Sequence, residues 1–106
     1  MNGVRFLLDT NYLLGLLKGQ AEVVASIQGR GADWRWYGFS SITRMESLGF
    51  PAITSTEEEG ITELLARLHY FPITPEVETA AIILRRRHKL KLPDAIILAT
   101  AQVHSL

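Results

Sequence analysis

Three acidic residues, Asp9, Glu46 and Asp94, are spread across a chain of 106 residues and carry the chemistry it could do. Asp9 follows the apolar run Val4-Arg5-Phe6-Leu7-Leu8, which predicts a buried strand. A carboxylate at the C-terminal end of such a strand sits where open α/β sheets place their ligands. Asp is also a strong helix N-cap, so taken alone Asp9 could simply serve a helix beginning at Asn11 or Tyr12. Counting at helical spacing puts Glu46 on one stripe with Ile42, Met45 and Gly49, and Asp94 on one with Ile97, Leu98 and Ala101. Both acids are therefore expected to turn inward. Singly, Glu46 reads as a boundary residue whose head reaches water, and Asp94 as a first-turn acid complementing a helix dipole. Together with Asp9 they say more, because buried carboxylates are rare unless they are paired or bind a metal.

Convergence of these groups at the C-terminal edge of a sheet has a definite consequence. Two like charges about 4 Å apart repel by roughly 4 kcal/mol at an effective dielectric of 20, and a cation relieves that. The chain has no cysteine, and its three histidines, His69, His88 and His104, have no ligand spacing. An all-oxygen set selects Mg²⁺ or Mn²⁺ over zinc. The chemistry implied is metal-assisted attack of water on a phosphodiester.

The elements that must position these acids alternate. After the first strand, Tyr12 to Leu17 suits a short helix ending near Gly19, and Ala21 to Ile27 a second before Gly29-Arg30-Gly31. Trp36 to Ser40 reads as a strand, Ser41-Ile42-Thr43 leads into a helix that Pro51 closes, and Thr54-Ser55-Thr56 before Glu57-Glu58-Glu59 offers overlapping capping boxes. Tyr70 to Ile73 is a short strand, Thr74 caps a helix with Pro75 in its first position that reaches about Lys89, and Leu92-Pro93-Asp94 opens a last helix. Strands alternating with helices argue for one α/β domain, residues 1–106, with a parallel sheet.

With 47% hydrophobic and 21% charged residues, the composition is that of an ordinary globular protein. The formal net charge is zero, so any attraction for a polyanion must be local. No apolar stretch approaches the roughly 20 residues that span a bilayer. The first strand follows Met1 with no room for a signal peptide, so a cytoplasmic protein is expected.

Three segments, Leu7-Leu8-Asp9-Thr10-Asn11, Ser41-Ile42-Thr43-Arg44-Met45-Glu46 and Leu92-Pro93-Asp94-Ala95-Ile96-Ile97-Leu98-Ala99-Thr100-Ala101, resemble in content and order the PIN-domain ribonucleases of the VapC toxin type. The likeness covers nearly the whole chain. It implies a three-layer α/β/α sandwich with Asp9, Glu46 and Asp94 as ligands of Mg²⁺ or Mn²⁺, and with Thr10, Asn11 and Thr43 orienting those carboxylates. It also implies an RNA substrate, single-stranded or tRNA, a homodimer, and an antitoxin partner. Members of that family usually continue into another strand and a fourth acidic residue, whereas no acid follows Asp94 here. The expectation is a C-terminally truncated member with its last strands missing and one carboxylate fewer. Val4 to Leu8 would then form an open apolar edge inviting pairing or strand exchange between chains.

Two other functional readings belong beside the nuclease. One is a catalytically impaired remnant that only binds an antitoxin or a second copy. A haloacid-dehalogenase-type phosphatase is set aside, because it needs an Asp where this chain has Asn11. Arg85, Arg86, Arg87 and Lys89, with His88 and Lys91, form the one dense basic run. They could steer RNA phosphates, but three consecutive arginines fan around a helix and also complement the dipole of its last turns. Trp34 and Trp36 are expected on one strand face, packed against a helix.

Overall fold

The computed structural model describes residues 3–29 and 33–106, so Arg30 and Gly31 of the expected second turn lie outside the described residues. The elements run β1 (Phe6–Leu7), α1 (Thr10–Leu17), α2 (Ala21–Gly29), a 3-10 turn (Trp34–Trp36), β2 (Tyr37–Ser40), α3 (Ser41–Leu48), α4 (Ser55–Ala66), β3 (His69–Phe71), α5 (Pro75–His88) and α6 (Leu92–Val103). Each strand passes into the next helix or turn through a local polar signal. Asp9 Oδ1 accepts from the Tyr12 N–H at 2.8 Å, Ser40 Oγ from the Thr43 N–H at 3.3 Å, and Thr74 Oγ1 from the Val77 N–H at 3.2 Å. A reciprocal capping box joins Thr54 and Glu57 at the start of α4.

The sheet is parallel with strand order β1-β2-β3. Phe6 lies opposite Tyr37 and Leu7 opposite Gly38, and Gly38, Phe39 and Ser40 lie opposite His69, Tyr70 and Phe71. Hydrogen bonds from the Arg5 and Leu8 N–H groups to the carbonyls of Trp36 and Gly38 carry the pairing one residue past β1 on each side. Because alternate side chains of a strand take opposite faces, Phe6, Leu8, Tyr37 and Phe39 share one face, where they pack with Leu13 of α1 and Ile61 and Leu65 of α4. Val77 and Ala81 of α5, Ala95, Ile96 and Ala99 of α6 and Ile42 of α3 form a second buried cluster, and α6 packs on β2. Helices, sheet and helices make the expected three-layer α/β/α arrangement.

Gly38 shows how tightly the middle strand is held. A Cβ there would lie 2.4 Å from Phe71 Cε2 and 2.9 Å from the His69 carbonyl oxygen. The Phe71 ring is itself fixed between His69 and His104, with ring centroids 4.5 and 4.4 Å away. Gly38→Ala is therefore expected to lower stability by about 1–3 kcal/mol, the usual cost of overpacking, visible as a reduced urea midpoint. An unchanged midpoint would show that the ring moves aside freely.

Three local expectations need correction. Trp34 and Trp36 are not on a strand face: Asp33 accepts from the Arg35 N–H and winds Trp34–Trp36 into a 3-10 turn, leaving both rings half-buried against the first cluster. Arg35 then chelates Asp33 with two further bonds of 3.2 and 3.0 Å, and that guanidinium holds the Asp33 carboxyl below its ordinary range. The first strand is an edge strand in which Phe6 and Leu7 are half-buried, rather than a wholly buried one. The third spans His69–Phe71, because Pro72 has no N–H to continue the ladder.

Candidate active site

The start of α1, the second half of α3 and the first turn of α6 come together, and each brings one motif acid. Asp9, Thr10, Asn11, Glu46, Asp94 and Ile97 line one hollow of about 210 Å³. Acids separated by up to 85 positions in sequence thus share one open space, with oxygen ligands from three different elements.

Their burial is the reverse of what helical spacing suggested. Asp9, Glu46 and Asp94 are all exposed. On α3 the residues turned inward are Ser41, Ile42, Thr43 and Ser47, whereas Met45, expected on the inner stripe with Glu46, is 53% exposed. On α6 they are Ala95, Ile96, Ala99 and Thr100, while Leu98, expected to face the core beside Asp94, is 49% exposed. Among the described residues, Met45 and Glu46 of α3 and Asp94 and Leu98 of α6 are left exposed, while Ile42 is buried and Ile97 and Ala101 are half-buried.

The support around the acids is specific. Thr10 Oγ1 donates to Glu46 Oε1 at 2.6 Å and also approaches Thr43 Oγ1 at 3.3 Å, so one hydroxyl bridges the first helix to the third. Thr43 has no exposed surface, and its backbone is held by the Ser40 cap. Of the expected oxygen set, Thr10, Glu46 and Thr43 are therefore tied together by hydrogen bonds. Asp9 is oriented by the Tyr12 N–H, which makes the cap and the site two uses of one side chain. Asp94 occupies the first turn of α6, where the helix dipole favours its negative charge, and no side-chain bond caps that helix.

Among the described residues no three His, Cys, Asp or Glu side chains lie close enough to surround one ion directly. The donor chemistry nevertheless suits a hard divalent cation of the magnesium kind, which keeps several waters and takes only one or two carboxylates directly. A hollow walled by three carboxylates and the amide of Asn11 has room for such waters.

The basic run stands apart from this space. Arg85, Arg86, Arg87 and Lys89 are exposed at the end of α5, Arg85 Nε donating to the Leu90 carbonyl at 3.3 Å, and none of them lines the hollow. Ile97, which does line it, had been assigned to the core by its spacing from Asp94. No helix among the described residues is long and apolar enough to cross a membrane.

Comparison with known proteins adds two findings. The family described as the PIN domain matches residues 6–106. A solved structure titled "Toxin-antitoxin complex from Klebsiella pneumoniae" is similar to this chain at 33% identity and a TM-score of 0.79, covering 96% of this chain and 81% of that one. No curated protein gives a significant match.

Proposed function

From the premise that this chain belongs to the PIN-domain family, we propose that it is a divalent-metal-dependent endoribonuclease and the toxin of a toxin–antitoxin pair. The observation that carries the reading is the shared hollow: the acids of three separate motifs, in the order the resemblance requires, meet in one open space. The antitoxin partner is supported by the similar structure, which is of a toxin–antitoxin complex.

Asp9, Glu46 and Asp94 would hold Mg²⁺ or Mn²⁺. Such an ion supplies positive charge to a scissile phosphodiester and acidity to a nearby water. The chain's own groups do the rest by orientation. Thr10 holds Glu46 Oε1 at the hollow, the Tyr12 N–H fixes one oxygen of Asp9, and the first turn of α6 presents Asp94 to the same space. Attack of water forms a new P–O bond, the bond to the leaving ribose oxygen breaks, and that oxygen takes a proton. Exposure of all three acids suits a polymer substrate, since an extended RNA can reach them without opening the fold. The basic run at Arg85 to Lys89 lies outside the hollow and would act at most as a distant electrostatic guide.

A second reading, a binding module without hydrolytic activity, is favoured by one observation, the separation of the acids beyond direct three-fold ligation. Asp9→Asn decides between them. Asn keeps the N-cap almost intact, so the fold should change little. In the nuclease, Mn²⁺ raises the melting temperature of the wild type and supports cleavage of labelled single-stranded RNA, and both effects disappear in the variant. Equal behaviour of the two proteins with and without Mn²⁺ would leave only the binding module.

A further inference from the structure

Five of the eleven Lys and Arg residues, Arg85, Arg86, Arg87, Lys89 and Lys91, fall within seven consecutive positions that contain no acid. The rest of the chain therefore carries six cations against all eleven acids, although the whole is neutral. Charge is unevenly divided, and the division falls beside the site. Lys91 is the residue that precedes α6, and Asp94, which lines the acidic hollow, stands in the first turn of that helix.

The connection from α5 to α6 holds Lys91 in place. Lys89 closes α5 in the left-handed region at φ 53° with its N–H bonded to the Arg85 carbonyl, and Arg85 Nε donates to the Leu90 carbonyl at 3.3 Å. Leu90 is half-buried against the second core cluster, which anchors the middle of the connection. Lys91 itself is extended at φ −66°, ψ 150°, and its carbonyl accepts the Ala95 N–H at 3.0 Å, so Lys91 and Asp94 are neighbours at the start of one helix. They do not pair: Lys91 is exposed and, among the described residues, forms no ion pair. Its ammonium is free to meet an anion from outside the chain.

We propose that Lys91 binds a phosphate of the RNA strand whose neighbouring phosphodiester lies at the acidic hollow. The assignment rests on the nuclease reading and adds to it a residue that positions the substrate. A polyanion approaching three carboxylates is repelled, and a bound ion offsets that chiefly for the phosphate it touches. The adjacent phosphates of the strand need a cation outside the ligand set, and Lys91 supplies one a single helical turn from Asp94. Lysine suits the duty, because a compact charge on a flexible stem meets a phosphate without the fixed planar geometry of a guanidinium. Arg86, Arg87 and Lys89, all exposed, extend the same positive field away from the hollow. A backbone contact of this kind sets the register of the strand and reads no base.

Salt-dependent RNA binding tests the assignment without relying on cleavage. Asp9→Asn keeps the helix cap, and the affinity of that variant for a short, labelled single-stranded RNA is measured by fluorescence anisotropy, without metal, between about 50 and 200 mM salt. Adding Lys91→Gln should weaken binding roughly three- to tenfold at the low end. The slope of log affinity against log salt should become shallower by about 0.7, the share of one single-strand phosphate. Lys91→Arg should restore both. Lys18→Gln removes the same charge at the far end of α1, away from the hollow, and should leave the slope almost unchanged. In the otherwise wild-type protein with Mn²⁺, Lys91→Gln should raise KM by a similar factor and leave kcat within about twofold, because the contact is equally strong in ground and transition states. No measurable RNA binding, an unchanged affinity and slope, an equal loss for Lys18→Gln, or a fall in kcat at constant KM each overturns the role of Lys91. RNA that is bound through Lys91 but left uncut by the wild type in Mn²⁺ would sink the nuclease reading alone.

Discussion

Asp94→Asn should abolish RNA cleavage while leaving the fold almost unchanged. Asp94 is the sharpest probe of the site because it lines the hollow and its helix has no side-chain cap to lose. What the substitution removes is a full negative charge from the wall of the hollow. Loss of one electrostatic group at the point where charge develops costs about 3–4 kcal/mol of transition-state stabilisation in comparable sites, or roughly 10²–10³ in rate. Against stability two small effects oppose each other. The helix terminus loses an anion worth about 0.3–1 kcal/mol, and the two remaining carboxylates lose a repulsive neighbour that water already screens. The net change should stay within about 1 kcal/mol. A variant that cleaves single-stranded RNA in Mn²⁺ at the wild-type rate would remove Asp94 from the site.

Thr10→Val is the second large effect, and it separates the role of the hydroxyl from that of the carboxylate it holds. The Thr10 hydroxyl makes the 2.6 Å bond to Glu46 and leans on buried Thr43, and valine matches its shape without a donor. Glu46 is exposed, so once released it takes its hydrogen bonds from water and samples other rotamers. Outer groups of this kind are worth about 10- to 100-fold in metal affinity or turnover. The stability cost should be only about 1 kcal/mol, that of one hydrogen bond. Thr10→Ser restores the donor and should restore both metal affinity and rate, which separates positioning from packing. Equal Mn²⁺ affinity and turnover for valine and threonine at position 10 would show that Glu46 needs no such support.

Legibility of the site differed between identity and placement. Asp9, Glu46 and Asp94 were readable because each sits in a segment of recognisable content, and the order of the three segments matches one family. Of the residues expected to orient the carboxylates, Thr10 bonds Glu46, whereas the Thr43 side chain meets Thr10 rather than an acid. Asn11 lines the hollow. The inward turn of the acids was misread on both helices for one reason. A periodic stripe tells which residues lie on the same side of a helix; on α3 the expected group is split, with Ile42 buried and Met45 and Glu46 exposed. The stripe does not tell whether another element lies over that side.

The elements themselves were largely legible, because what starts them is local. Asp9, Ser40, Thr54 and Thr74 each bond a backbone N–H three residues ahead, a contact that needs nothing from the rest of the chain. The turn at Trp34–Trp36 escaped notice although its signal, Asp33, is of the same type, because the aromatic residues that follow read equally well as strand. The order of the elements and the alternation of strands and helices were determined by the sequence alone. The tertiary structure decided that the acids share one open hollow and that Thr10 ties α1 to Glu46. These follow from which faces are covered and which are not. That depends on elements distant in sequence meeting in space, and no run of neighbouring residues encodes it.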